Sequence, residues 1–370
     1  MNSNKLDIGF WFPRPERGAR LAQELRNRGH RVTLYHKLSI PGEQTNVIKV
    51  NTSFIKGIQM LRSLNHDVLY TSRSFKPVLQ LYFNSLISKT PYIYTVNGAI
   101  WAYYKERSQG SILSLFKQSL YPFLFKIALH GASSLIANSR FLAQELKKRY
   151  PGNDLKIQHI YNGIDYESID TGKPKPGAWP TEGNRIISVV TINLEKKIEG
   201  VLLLLEAFEK LAKKDPNVSY LIAAKSENRL AEEKLISRID KIPYRDRIRL
   251  IIDSKEISNL LASADIFVYA TPPDSSDSIP RAVLEAIAAG VPVVNTSTTG
   301  LPELAISNDI PILVNYDSTD IANATESLLS SRRISKELLN NASLEIRKKF
   351  NWQYMAQEYE QRFYHAIKNK

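Results

Sequence analysis

The chain has 370 residues, 43% of them apolar and 24% charged, and it contains no cysteine. That composition suits a globular protein of two ordinary domains and excludes disulfides, thiolate catalysis and cysteine-ligated zinc. The net charge of +13 and an isoelectric point near 9.5 favour anionic partners such as nucleotides or acidic lipid headgroups.

No zinc-finger, RNA-recognition or basic-zipper pattern accompanies the charge, so nucleic acid is not expected as a substrate. Residues Ile8–Phe12 are too short for a secretory h-region, and no run is apolar enough for a transmembrane helix. The expectation is a cytoplasmic protein, at most peripheral on the inner face of a membrane.

In chain order, Leu6–Phe12 reads as a buried strand and 13–18 as a loop. Ala19–Arg28 reads as an amphipathic helix stopped by Gly29, and Val32–Tyr35 as the next strand. Further strands are predicted at Val68–Tyr70, Tyr92–Val96 and Ser134–Ala137, with helices between them. This alternation implies a parallel sheet covered on both faces.

Residues 171–180 are rich in Pro and Gly, lack periodicity and read as a linker. The alternation then restarts, with strands expected at Arg185–Val190, Val218–Ala223, Ile248–Ile252, Ile266–Tyr269, Val291–Asn295 and Ile312–Val314. A helix is expected over Val201–Leu211, and a long aromatic helix over Trp352–Ile367. The expected organisation is an N-terminal domain over 1–165, a linker over 166–184 and a C-terminal domain over 185–351. The last helix, 352–370, would pack back on the first domain. Two doubly wound domains suit a ligand held at the carboxyl ends of their strands.

Three segments after strands of the second domain carry candidate ligand groups. Thr191–Gly200 holds Lys196 and Lys197, a basic stretch suited to a diphosphate. The segment Asp277-Ser278-Ile279-Pro280-Arg281-Ala282-Val283-Leu284-Glu285 sets two carboxylates apart by seven residues, with Asp277 or Ser278 as the expected helix cap. Glu285 would lie deep enough to meet ribose hydroxyls. Gly300 permits a turn after the next strand. The histidines and aspartates show no metal-ligand spacing, and no metal or cofactor is expected.

Together with 12–18, Gly29-His30-Arg31-Val32, Ala137-Asn138-Ser139, 161–165 and Asn351-Trp352, these segments resemble, in order, the retaining glycosyltransferases of family 4 with the GT-B fold. The resemblance implies two Rossmann-like domains facing across a cleft and a nucleotide-sugar donor, a UDP- or GDP-sugar. It implies a glycan, glycolipid or lipid-linked acceptor, as in polysaccharide biosynthesis. Glu285 would bind the donor ribose, and Asp277 would take the place of a glutamate that contacts the transferred sugar. Lys197 would face the diphosphate, with Lys196 beside it. Gly18 would bring backbone amides toward the phosphate or acceptor. Ile252 and Asp253 would shape the base site, and Ser278, Ile279, Pro280, Leu284 and Gly300 would line the donor loop.

The chain departs from the family at four places, one of them Lys225, in a strand end where glycines are more usual. Asp277 is one methylene short, an expected arginine is Ile192, and an expected histidine is Asn97, which can hydrogen-bond a sugar but not take its proton. Two alternatives stay open: a nucleotide-sugar epimerase or hydrolase, and a non-catalytic nucleotide-binding member. Ser111–His130, aromatic and basic, is a candidate for an anionic membrane surface.

Overall fold

The structure is a computed structural model that describes residues 5–37, 47–50, 53–72, 76–99, 101, 123–193, 195–306, 310–331 and 334–369. The chain divides into two compact units, Met1–Gly163 with Phe350–Lys370, and Ile164–Lys349. No described helix is long and apolar enough to cross a membrane.

In the first unit the described strands are β1 (Asp7–Trp11), β2 (Arg31–His36), β3 (Val47–Lys49), β4 (Val68–Thr71), β5 (Tyr92–Val96), β6 (Ser134–Ala137) and β7 (Ile157–His159). They pair in parallel in the order β3-β2-β1-β4-β5-β6-β7. Helices α1 (Pro15–Asn27), α2 (Phe54–Ser63), α3 (Lys76–Ser88), α4 (123–131) and α5 (Arg140–Arg149) connect them. β4, β5 and β6 are buried along their whole length, as a sheet covered on both faces requires.

Helix α1 starts earlier than the sequence suggested, because Pro15 occupies its first turn with φ already helical. Its end is as expected: Gly29 sits at φ 96°, with Gly29 N–H on Arg26 O (2.8 Å) and His30 N–H on Leu25 O (3.1 Å).

In the second unit β8 (Asn184–Ile192), β9 (Val218–Ser226), β10 (Ile248–Ile252), β11 (Ile266–Tyr269), β12 (Val293–Thr296) and β13 (Ile312–Val314) pair in the order β10-β9-β8-β11-β12-β13, again in parallel. Its helices are α6 (Glu167–Asp170), α7 (Glu195–Lys214), α8 (Arg229–Asp240), α9 (Ile257–Ala262), α10 (Arg281–Ala288), α11 (Ser318–Ser331) and α12 (Lys336–Lys349). The stretch read as a linker is docked on this unit. Lys173 N–H bonds Asn259 Oδ1 (2.8 Å), and Arg249 bonds the Ala178 carbonyl (3.0 Å).

Helix α13 (Trp352–Lys368) belongs to the first unit. Its apolar stripe, Met355, Ala356, Tyr359, Phe363 and Ala366, joins the core formed by Ile8, Phe10, Leu21, Leu25 and Ile93. Asn351 caps it by accepting from Gln353 and Tyr354 N–H. A latch fixes its middle. His30 Nδ1 accepts from Leu6 N–H (3.2 Å), so its Nε2–H faces Glu360 (2.7 Å), which also holds Arg28 (2.5 Å). Burial opposes ionisation of Glu360, but the hydrogen bonds from Arg28 and His30 prevail and hold its carboxyl below the usual range.

Of Ser111–His130, residues 111–122 lie outside the described residues. Within α4, Phe125, Ala128 and Leu129 are buried in the core, while Phe123 is exposed.

Candidate functional site

In the second sheet, the strand order reverses between β8 and β11. Successive crossovers leave these two strands in opposite directions, which opens a crevice at their carboxyl ends. The chain after β8 and the chain after β11 meet there. Lys197 Nζ lies 3.1 Å from Asp277 Oδ1, with both side chains about four-fifths buried. Tyr269, the last residue of β11, points its hydroxyl at the other oxygen of Asp277 at 3.4 Å, a weak hydrogen bond. Burial, then the Asp277 charge, pushes the Tyr269 phenol well above its ordinary range, so it stays a proton donor.

Lys196 makes a second bridge, to Glu199 (3.0 Å) and Asp274 (3.1 Å). The hydrogen bonds to Glu199 and then Asp274 raise its pKa. Burial and the neighbouring Glu199 push the Tyr316 phenol, beside this cluster, up to about 12.

Both lysines lie in the first turn of α7 and not in a loop ahead of a helix at Val201. Gly200 is the last residue of the stretch read as preceding that helix. It lies inside the helix because a Cβ there would stand 2.2 Å from the Ala270 carbonyl oxygen. The glycine lets α7 rest against the end of β11, and that approach brings the lysines within reach of Asp274 and Asp277.

The chain after β11 runs into α10. The expected caps are not used: Pro280 itself is the N-cap residue, with φ −65° and ψ 128°, and no side chain caps the helix. Ser278 is buried and uses its carbonyl to accept from Gly300 N–H (3.0 Å) and the Thr299 hydroxyl (3.3 Å). A Cβ at Gly300 would meet that carbonyl at 2.7 Å, so the glycine is needed where the two loops touch. Helix α10 closes on Gly290, at φ 73°.

The Glu285 side chain is largely buried on α10, with Oε1 2.6 Å from Arg281 Nε. Leu284 is 3% exposed, which makes it a core side chain instead of a ligand group. Ile279 and Pro280 are half-buried beside Ser278.

Ile252 and Asp253 stand at the end of β10, two strands from β8, or about 10 Å away. Asp253 adopts φ 53°, donates N–H to Ala224 O (2.8 Å) and accepts from Ser226 N–H (3.3 Å), which ties the ends of β9 and β10 together. A cavity of about 430 Å³ on the outer side of β10 is lined by Ile252 and Ser254, with Lys175, Ala178, Arg249 and Glu256 among its other walls. None of its lining belongs to the Lys197–Asp277 cluster. Ile192, where the resemblance leads one to expect an arginine, is buried at 1% exposure at the end of β8.

In the first unit Asn97 follows β5, accepts from Arg17 (3.0 Å) and donates to Ser72 O (3.3 Å). This stitches the chain after β1, β4 and β5 at that sheet's own switch point. Gly18 has a packing role. Its N–H bonds Arg14 O (2.7 Å), and a Cβ would stand 2.5 Å from the Pro13 ring. Its own amide is therefore engaged in α1.

Sequence reasoning missed Tyr269, Asp274, Glu199, Arg281 and Tyr316. The spacing of Arg281 and Glu285, four apart on a helix, was a readable signal. Nothing in the sequence shows that Tyr269 reaches Asp277.

Two doubly wound sheets of this strand order, with a lysine-bearing helix start after β8, define a GT-B glycosyltransferase fold. Residues 19–168 match the family model for Glycosyltransferase Family 4, and residues 171–345 that for glycosyl transferases group 1. The chain belongs to the GT-B glycosyltransferases. It is 21% identical to the spore coat protein SA of Bacillus subtilis over 63% of this chain and 65% of that one. It thus spans less than two thirds of the length of the curated relatives it matches first. A glycosyltransferase from Rickettsia africae superposes with a TM-score of 0.79 at 19% identity, covering 99% of this chain and 100% of the other. HepE of Anabaena, solved in complex with UDP, superposes with a TM-score of 0.74 at 17% identity over 96% and 99%.

Proposed function

We propose that the chain transfers a hexosyl group from a nucleoside diphosphate sugar to a glycan, glycolipid or lipid-linked acceptor, with retention at the anomeric carbon. The observation that carries this reading is the Lys197–Asp277 pair at the switch point of the second unit. A diphosphate bound there would draw Lys197 away from Asp277 and free the carboxylate for the sugar. Two strands away, Ile252 and Asp253 are at a suitable distance for the base, and the Glu285 carboxylate would offer Oε2 to the ribose while Oε1 holds Arg281. UDP is the first nucleotide to test, since HepE binds it.

In the reaction, the bond from the anomeric carbon to the phosphate oxygen breaks, and a bond from that carbon to the acceptor hydroxyl oxygen forms on the same face. The acceptor proton passes to the departing phosphate oxygen. Lys197, Lys196 and the amides of the α7 and α10 starts stabilise the charge on the leaving diphosphate, so that no metal ion is called for. Asp277 orients sugar hydroxyls. The enzyme would work in the cytoplasm, on an acceptor held at an anionic membrane surface.

The buried Ile192 in place of a cation favours a second reading, a nucleotide-binding member without turnover. A thermal-shift screen with UDP, GDP, ADP and their sugars, followed by product analysis with and without acceptor, separates these readings. At a hundredfold excess over Kd a ligand adds about 2.7 kcal/mol of stability. A shift with no nucleotide refutes the donor site. Binding without products supports the second reading, and sugar release without an acceptor supports a hydrolase.

A further inference from the structure

The outward side of α2 and α3 in the first unit is unusually apolar for helix faces turned away from the core. Ile55 is 68% exposed, Leu86 52%, Ile87 54% and Phe83 39%. On α3, Phe83, Leu86 and Ile87 follow the i, i+3, i+4 spacing that puts them on one stripe, with Lys76 seven residues ahead of Phe83 on the same face. On α2, Ile55 and Arg62 share a face in the same way. The two surfaces are continuous, because Phe54 meets Phe83 edge-on with ring centroids 6.1 Å apart.

The charges around these residues have one sign. From Val47 to Thr90 the sequence has six basic residues, Lys49, Lys56, Arg62, Arg73, Lys76 and Lys89, against a single acid, Asp67. Asp67 stands at the start of β4, where its carboxylate accepts from Asp7 N–H (2.7 Å). Neither α2 nor α3 carries a carboxylate. Lys56, Arg62, Lys76 and Lys89 are all exposed.

We propose that this face docks on an anionic lipid bilayer, with Ile55, Phe83, Leu86 and Ile87 entering the headgroup boundary and the basic side chains meeting lipid phosphates. Exposed aliphatic side chains surrounded by lysine and arginine are what a peripheral membrane surface requires. A protein partner would have to be acidic as well as apolar, and a second copy of this chain would bring positive charge against positive charge. The proposal rests on the reading of an acceptor held at a membrane, and it names the surface that brings the chain there. That surface is not Ser111–His130, the segment to which the sequence pointed.

The test is co-sedimentation of the full chain with vesicles of phosphatidylglycerol and phosphatidylcholine in equal parts, and with phosphatidylcholine alone. Binding to the anionic vesicles, weakened by salt and at least tenfold weaker on the neutral ones, is expected. I55E combined with I87E should lower the partition coefficient at least about tenfold, with the UDP-induced thermal shift retained. Lys56→Glu combined with Arg62→Glu should do the same, and it keeps the test decisive if the first pair fails to fold. Equal binding of parent and variants overturns the proposal. So does a parent dimer that I55E and I87E convert to monomer without loss of vesicle binding. A parent that ignores both vesicles but binds UDP overturns the docking face and leaves the transferase reading intact.

Discussion

Replacing Gly200 with alanine isolates the contact on which the proposed donor site depends. The new Cβ would stand 2.2 Å from the Ala270 carbonyl oxygen, where real Cβ atoms keep at least 3.0 Å, so backbone must retreat by about 0.8 Å. The obstacle is main chain at the end of β11, and no side-chain rotation relieves it. Overpacking of this kind costs about 1–3 kcal/mol, while alanine in a helix interior returns about 1 kcal/mol over glycine. The net expectation is up to about 2 kcal/mol of destabilisation, a fall in Tm of a few degrees for a domain of this size. The same retreat carries the start of α7 outward and lengthens the 3.1 Å bridges of Lys197 and Lys196 toward 4 Å. UDP affinity, measured by calorimetry, should fall about tenfold as the diphosphate loses one well-placed charged donor. A variant with raised Tm and unchanged UDP affinity would show that helix propensity outweighs the contact and that Gly200 sets no distance in the site.

Asp277→Ala removes the carboxylate that holds Lys197 in the ligand-free protein. UDP should bind about two- to fivefold tighter while sugar transfer is lost, and weaker UDP binding would contradict a direct competition between carboxylate and diphosphate. Tyr269→Phe removes the second contact to Asp277; kcat should fall about fivefold with UDP affinity within about twofold, and an equal loss in both would mean the ring supports the fold instead. Glu360→Gln tests the latch on α13 by denaturant unfolding. Because the folded carboxyl titrates below its ordinary value near 4.5, its stabilisation is present above that pH and disappears as pH falls through the folded value. The variant should be about 1–2 kcal/mol less stable at pH 7 and equal to the parent in strong acid, and a pH-independent difference would contradict the assignment.

The sheets were legible in the sequence because fully buried parallel strands such as Ile266–Tyr269 are short apolar runs between turn residues. Element ends were harder where glycine or proline acts through packing instead of local preference. Gly200 was read as lying ahead of a helix at Val201, yet it lies within that helix, where the carbonyl of Ala270 requires it, and that partner is some 70 residues on in the chain. Gly18 likewise packs against the Pro13 ring, a contact that no local pattern in the sequence shows. The short edge strands Val47–Lys49 and Ile157–His159 carry too few residues for a periodic signal. Within the site, Lys197, Asp277 and Glu285 were identifiable by type and order. Their pairing with each other, and with Tyr269 and Arg281, depends on where the ends of β8 and β11 meet.

The central claim is that the chain after β8 and the chain after β11 hold a nucleoside diphosphate through Lys197. Titration calorimetry of UDP and GDP against the parent and Lys197→Ala tests it most directly. The parent should bind one of the two nucleotides, and the variant should bind it at least about tenfold more weakly, the loss of one charge-assisted hydrogen bond to phosphate. Equal affinity in parent and variant, or no binding of either nucleotide to a folded parent, would contradict the account.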